Sequence, residues 1–144
     1  MEAGVYLLPE REHVRRGRVR YQPRHASVAE IWSGGKWRLS HLPSMSNAAL
    51  DGVSCPTLTS CFAAGYHGQA ALAEQWSGSV WRTMPTKRTG GLASADGFTH
   101  VSCLSPTSCV AVGYRYDPKV KYSDKTLVEL WNGHSWKVQA SLNN

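Results

Sequence analysis

Four cysteines stand in two pairs of the same spacing, Cys55/Cys61 and Cys103/Cys109, each written C-x5-C. Thiols so placed suit a disulfide or half of a metal site. In each pair the first Cys ends one expected strand and the second opens the next, so the two face each other across a five-residue turn. That makes a disulfide sterically reasonable. Structural zinc wants C-x2–4-C pairs brought together, and these pairs belong to different parts of the chain. Zinc is the weaker reading, and free thiols are the remaining one. Closing so small a loop contributes roughly 2 kcal/mol in the chain-entropy model.

The next chemistry-bearing group is a recurring carboxylate. Glu30, Glu74 and Glu129 each precede a Trp by two positions. They suit a general acid or a metal ligand, or a half-buried acceptor for backbone or indole N–H groups. A residue written three times does what each copy needs, which favours the acceptor. The same argument applies to the Trp pairs 32/37, 76/81 and 131/136, which use all six Trp of the chain. They suit a sugar-stacking platform, but large rings more often fill the core, and an outer-edge Trp such as Trp37 is open to exposure. The six His, at 13, 25, 41, 67, 100 and 134, show no H-x-H or H-E-x-x-H spacing. There is no G-x-S-x-G elbow, and the glycine-rich "TGGLASADG" from residue 89 lacks the strand-then-helix setting of a phosphate cradle. No catalytic set, metal site or cofactor is expected.

Positioning these groups falls to a repeat. "VSCPTLTSCFAAGY" from residue 53 returns as "VSCLSPTSCVAVGY" from residue 101, and "VAEIWSGGKWR", "LAEQWSGSVWR" and "LVELWNGHSWK" begin at 28, 72 and 127. Two phrases in the same order make one unit, with periods of 44 residues from Trp32 to Trp76 and 55 from Trp76 to Trp131. That length fits a β-propeller blade better than a helical repeat. Four strands are expected per unit, at 52–55, 61–66, 70–76 and from about 80 in the first full copy. Val110, Val112 and Tyr114 alternate with Cys109, Ala111 and Gly113, a period of two whose second set is small enough for close backbone approach. Short strands between Gly turns imply an antiparallel meander.

These two phrases resemble repeats in secreted, mostly uncharacterised proteins of high-GC Gram-positive bacteria, in which VSC…SCxAVGY and LxExWNGxxW alternate. The resemblance covers residues 26–140. It implies export and a propeller-like fold, and no established activity. The Gly-x-x-Trp tails (Gly34/Trp37, Gly78/Trp81, Gly133/Trp136) also resemble the end of the Asp-box of sialidase-type propellers, although the Asp is missing from all three.

The expected fold is therefore all-β, with antiparallel four-stranded blade repeats forming a partial β-propeller of about two and a half blades. Residues 1–25 form a basic N-terminal segment, partly disordered or a degenerate strand; 26–48 are a partial blade, 49–97 a blade and 98–144 a blade. Within residues 1–25, "GRVRYQP" from residue 17 offers the second strand of the first blade, with Val19 and Tyr21 alternating with Arg18 and Arg20. Rings of this type need at least four blades, so a homo-oligomer or further blades of a longer chain are expected partners.

The formal charge is +6, which gives a weak attraction to anionic surfaces rather than specific nucleic-acid binding. The arginines of residues 11–25 carry only Tyr21 as an aromatic and are interrupted by Glu12. No run approaches the ~20 apolar residues of a membrane span, and the apolar Val5 to Leu8 is too short for a signal-peptide core. Disulfides point to an extracellular or cell-surface site. The lack of a visible signal peptide points instead to a truncated copy, or to a cytoplasmic protein.

Length variation picks out one end of the units. The B–C connection is short at 67–69 and long at 115–125, and the D–A connection 86–97 is long; the turns of the opposite end are uniformly short. Insertions gather on binding faces. The two long loops offer Lys87, Arg88, Arg115, Lys119, Lys121 and Lys125, with Tyr116 and Tyr122 between them. A cell-surface glycan or another anionic ligand is the expected partner, and the chain is expected to be a non-catalytic binding or scaffold module. The runner-up is a glycan-cleaving enzyme active only in a completed ring, which needs paired carboxylates. A fragment without activity is the third reading.

Overall fold

The computed structural model describes residues 5–8, 28–33, 35–89, 94–116, 119 and 125–142. Among them there is no helix. Eleven strands form three antiparallel sheets. The first sheet contains β1 (Val5–Leu8), β2 (Val28–Ser33) and β3 (Lys36–Ser40). The second runs in chain order through β4 (Ala48–Thr57), β5 (Ser60–His67), β6 (Ala70–Trp76) and β7 (Trp81–Met84). The third repeats that order with β8 (Ala95–Ser105), β9 (Ser108–Tyr116), β10 (Lys125–Trp131) and β11 (Trp136–Val138). The meander expected from the repeat is thus present twice in full, and among the described residues no sheet closes on itself.

Two expectations need correction. The strand beside β2 is β1, with Leu8 opposite Val28; residues 17–23, which the sequence offered for that place, lie outside the described residues. The first strand of each full sheet is also longer than 52–55. Asp51 is an extra residue in a bulge, and β4 continues back through it to Ala48 opposite His67. Thr99 is the equivalent extra residue in β8. As a result β8 begins at Ala95, inside the segment 86–97 read as loop.

The sheets stack through alternating side chains. In β5, Phe62 and Ala64 join a core with Phe98, Ala111, Leu127, Trp131 and Trp136 of the third sheet, while Cys61 and Ala63 join another with Ala29 of the first. One residue of offset selects the neighbour, as the period of two requires. The Trp pairs sit directly across their hairpins, Trp76 opposite Trp81 and Trp131 opposite Trp136. Their ring centroids are 5.7 Å apart in both sheets. Trp81, Trp131 and Trp136 are buried.

Glycine permits two features of this stack. Gly78 and Gly133 hold φ of 90° and 91° in the turns that bring the Trp pairs face to face. At Gly65 and Gly113 a Cβ would collide with the carbonyls of Ala49 and Gly97 on the neighbouring strand. The close backbone approach expected of Gly113 is therefore real.

Both expected disulfides are present, Cys55–Cys61 and Cys103–Cys109, each with Cα atoms 4.0 Å apart. Cys103 and Cys109 are direct partners in the β8–β9 ladder. The bonds brace the short-turn end of each sheet. They fit an oxidising environment. No helix among the described residues is long and apolar enough to cross a membrane.

Candidate functional site

The long-loop end is built on three strand ends. β8 opens with Ala95 and Asp96 opposite Tyr116 and Arg115 of β9, and Arg115 is in turn opposite Lys125 of β10. Arg115 is thereby the middle residue of a three-strand rung, Asp96–Arg115–Lys125. Tyr116, on the next rung, is exposed.

The connection after β7 is tied down onto this rung. Thr89 donates its backbone N–H (2.9 Å) and its hydroxyl (3.1 Å) to Oδ2 of the buried Asp96. Arg88 donates through Nη2 to the carbonyl of Ser94 at 3.3 Å, and Arg115 through Nη1 to the carbonyl of Thr89 at 3.4 Å. The backbone N–H of Lys87 reaches Oε2 of Glu129 at 3.3 Å. Lys87 and Arg88 are exposed on the resulting surface, as is Lys119.

The structure brings together Lys87, Arg88, Arg115, Tyr116 and Lys125 at one end of the sheets, with Lys119 in the connection between β9 and β10. Lys121 and Tyr122 lie outside the described residues. So do Asp117, Asp124 and the arginine-rich residues 11–25. Asp96 and Thr89, the anchors of the loop, escaped the sequence reading. Their only signal was an Asp directly before Gly97, which reads as an ordinary turn former.

Two of the three recurring glutamates are interior, and Glu30 is half-buried. Glu74 and Glu129 are buried, and each carboxyl is pushed up to about 7. Burial is the cause at Glu74. At Glu129 burial dominates, the Lys87 N–H opposes it and the nearby Asp96 charge adds to it. Asp96, like Glu129, is buried. Both are closed off from solvent beneath residues 87–89, and a glycosidic bond has no access to them. The acceptor role expected of the repeated Glu is seen at Glu129.

Glu74 differs. Its Oε2 is buried without a hydrogen-bond partner, whereas at Glu129 only Oε1 is in that position and Oε2 has the Lys87 N–H. Glu74 lines a cavity of about 310 Å³ between the first two sheets, with Leu39, Leu42, Pro43, Met45 and Leu50. No group of three or more His, Cys, Asp or Glu able to hold a metal ion occurs among the described residues. Comparison with protein-family models, with curated proteins and with solved structures gave no match to this chain.

Proposed function

We propose that the chain is a non-catalytic binding and scaffold module of an exported protein, made of propeller-type blades, that takes an acidic glycan on its long-loop end. The observation that carries this reading is the Asp96–Arg115–Lys125 rung with residues 85–89 fastened over it. Arg115 and Lys125 lie on that rung, the exposed Lys87 and Arg88 belong to the segment fastened there, Lys119 is exposed in the connection that follows, and the exposed Tyr116 is on the next rung. Cations and an exposed aromatic ring at the same end of the sheet suit a carboxylated or sulfated sugar, which presents both anionic groups and an apolar ring face. The two disulfides support export.

The test is titration with a sulfated oligosaccharide at low and moderate salt. Replacing Arg115, Tyr116 and Tyr122 together by Ala is expected to abolish binding. Tyr116→Ala with Lys119→Ala, which spares the Arg115 tie to Thr89, is expected to weaken it at least about tenfold, with a shallower salt dependence. Unchanged affinity in both variants overturns the reading.

A further inference from the structure

Each sheet presents two different faces to its neighbours. The face carrying the Glu and the Trp pair, here the trailing face, packs on the sheet before it. The opposite, leading face packs on the sheet after it. Between the second and third sheets, Phe62, Ala64 and Ala73 of a leading face meet Leu127, Trp131 and Trp136 of a trailing face. At the two ends of the stack one face of each kind is left open.

The open trailing face belongs to the first sheet. Glu30 lies opposite Leu39 and Trp32 opposite Trp37, as Glu74 lies opposite Thr83 and Trp76 opposite Trp81. Trp37 is 45% exposed, whereas Trp81 and Trp136 in the same place are each 5% exposed. Leu39 beside it is exposed too. The open leading face belongs to the third sheet. Val110 lies opposite Leu130 and Val112 opposite Val128. Val110 is 40% and Leu130 37% exposed, while Phe62, which stands where Val110 stands, is fully buried.

We propose that these two faces are one interface, filled by a second copy of this chain: the first sheet of one copy packs on the third sheet of another, head to tail. The argument is continuity with the two interfaces already inside the molecule, which use the same residue positions from the same phrases. Trp37 and Val110, exposed where Trp81, Trp136 and Phe62 are buried, are the apolar openings such a contact requires. The geometry also supplies a polar partner. Lys87, six residues after Trp81, donates its N–H to the Glu of the following sheet. Leu142 stands six residues after Trp136 and is exposed. In the assembly its N–H is aimed at Glu30 of the adjoining copy. The contact is heterologous, so it closes a ring of two copies when the rotation permits and otherwise adds further copies. It goes beyond the glycan reading and stands without it.

The test uses light scattering after size exclusion on the oxidised full chain, from low to high micromolar concentration. Wild type is expected to have the mass of two or more copies. Trp37→Lys on the first sheet and Leu130→Lys on the third are each expected to give monomers. Mixed, they are expected to form a one-to-one dimer, because each still carries the face the other lacks. Should either variant lose its folded Trp circular dichroism, Leu39→Lys or Val128→Lys replaces it. A monomeric wild type overturns the proposal. So do variants that keep the wild-type mass, and monomeric variants that stay monomeric on mixing.

Discussion

The interface between the first and second sheets and the interface between the second and third are built from the same phrases, yet they satisfy opposite polar groups. In the first, the indole N–H of Trp81 donates to Oγ of Ser40 at 3.0 Å, while Oε2 of Glu74 has no partner. In the second, Oε2 of Glu129 accepts from the Lys87 N–H, while the buried indole N–H of Trp136 has no partner. The differences lie just beyond the repeated phrase. Three residues after the second Trp stands Ser40 in one copy and Met84 in the next, and a thioether is a poor acceptor. Six residues after it stands Pro43 in one copy and Lys87 in the next, and proline has no N–H. The Glu and the Trp are fixed by the repeat, but whether each finds a partner depends on the variable piece of the neighbouring sheet.

Packing differs in the same direction. Phe62 holds its ring 5.9 Å from that of Trp131 and 6.3 Å from that of Trp136, and Phe98 holds its ring 6.2 Å from that of Trp136. The first interface has Ala29, Ala48 and Leu50 instead, and a cavity. The largest effect on the comparison is therefore expected from Phe62→Ala. It removes a fully buried ring packed on two others and costs about 3–5 kcal/mol. Leu50→Ala enlarges a space that already exists in the other interface, and about 2 kcal/mol is expected. Denaturant unfolding of both variants checks the order. A larger loss at Leu50 would mean that the first interface carries more of the stability.

How far these features could be read beforehand follows from where they are encoded. The C-x5-C pairs and the alternation from Cys109 to Tyr114 carry the disulfides and the strand faces within a few residues, so both were legible. The span of β6 was legible for the same reason, since Ser77-Gly78 ends it. β1 was not, because four apolar residues with no copy elsewhere give no period to recognise. β4 and β8 read short because each runs on through a bulge, at Asp51 or Thr99, that breaks the period of two. At the long-loop end the exposed cations were legible from the insertion pattern. The anchoring of Thr89 on Asp96, and of Arg115 on the Thr89 carbonyl, is set by how the loop folds back on the sheet, and no spacing announces it. The same holds for Ser40 and Lys87 as partners of Trp81 and Glu129, more than 40 positions away.

A smaller effect sharpens the Trp half of the comparison. Ser40→Ala removes the acceptor of the Trp81 indole and leaves the first interface as unsatisfied at its Trp as the second is. A loss of about 1–2 kcal/mol is expected. Met84→Ala, which removes no acceptor from Trp136, serves as the matched control, and its loss is set by packing alone. If the ultraviolet resonance Raman signature of a hydrogen-bonded indole N–H survives Ser40→Ala, the assignment of that bond is wrong.

The smallest effect concerns the Glu half, and it is read best as a dependence on pH. A carboxyl whose pKa is raised by folding binds more protons folded than unfolded. Stability from Glu74 and Glu129 is therefore full below about pH 4.5, falls as pH rises, and levels off above about 7. Pro43→Ala places an N–H where Lys87 places one for Glu129. It is expected to lower the Glu74 pKa and to reduce the fall between pH 5 and 8 by about 0.5–1 kcal/mol. Loss of proline also frees the unfolded chain, which costs a few tenths of a kcal/mol or more at every pH. The informative quantity is thus the difference between the two pH values, not the stability at either. Glu74→Gln removes the titrating group, and Pro43→Ala made in that background is expected to leave the pH difference unchanged. An equal effect of Pro43→Ala with and without Glu74 would show that the missing N–H is not what separates the two glutamates.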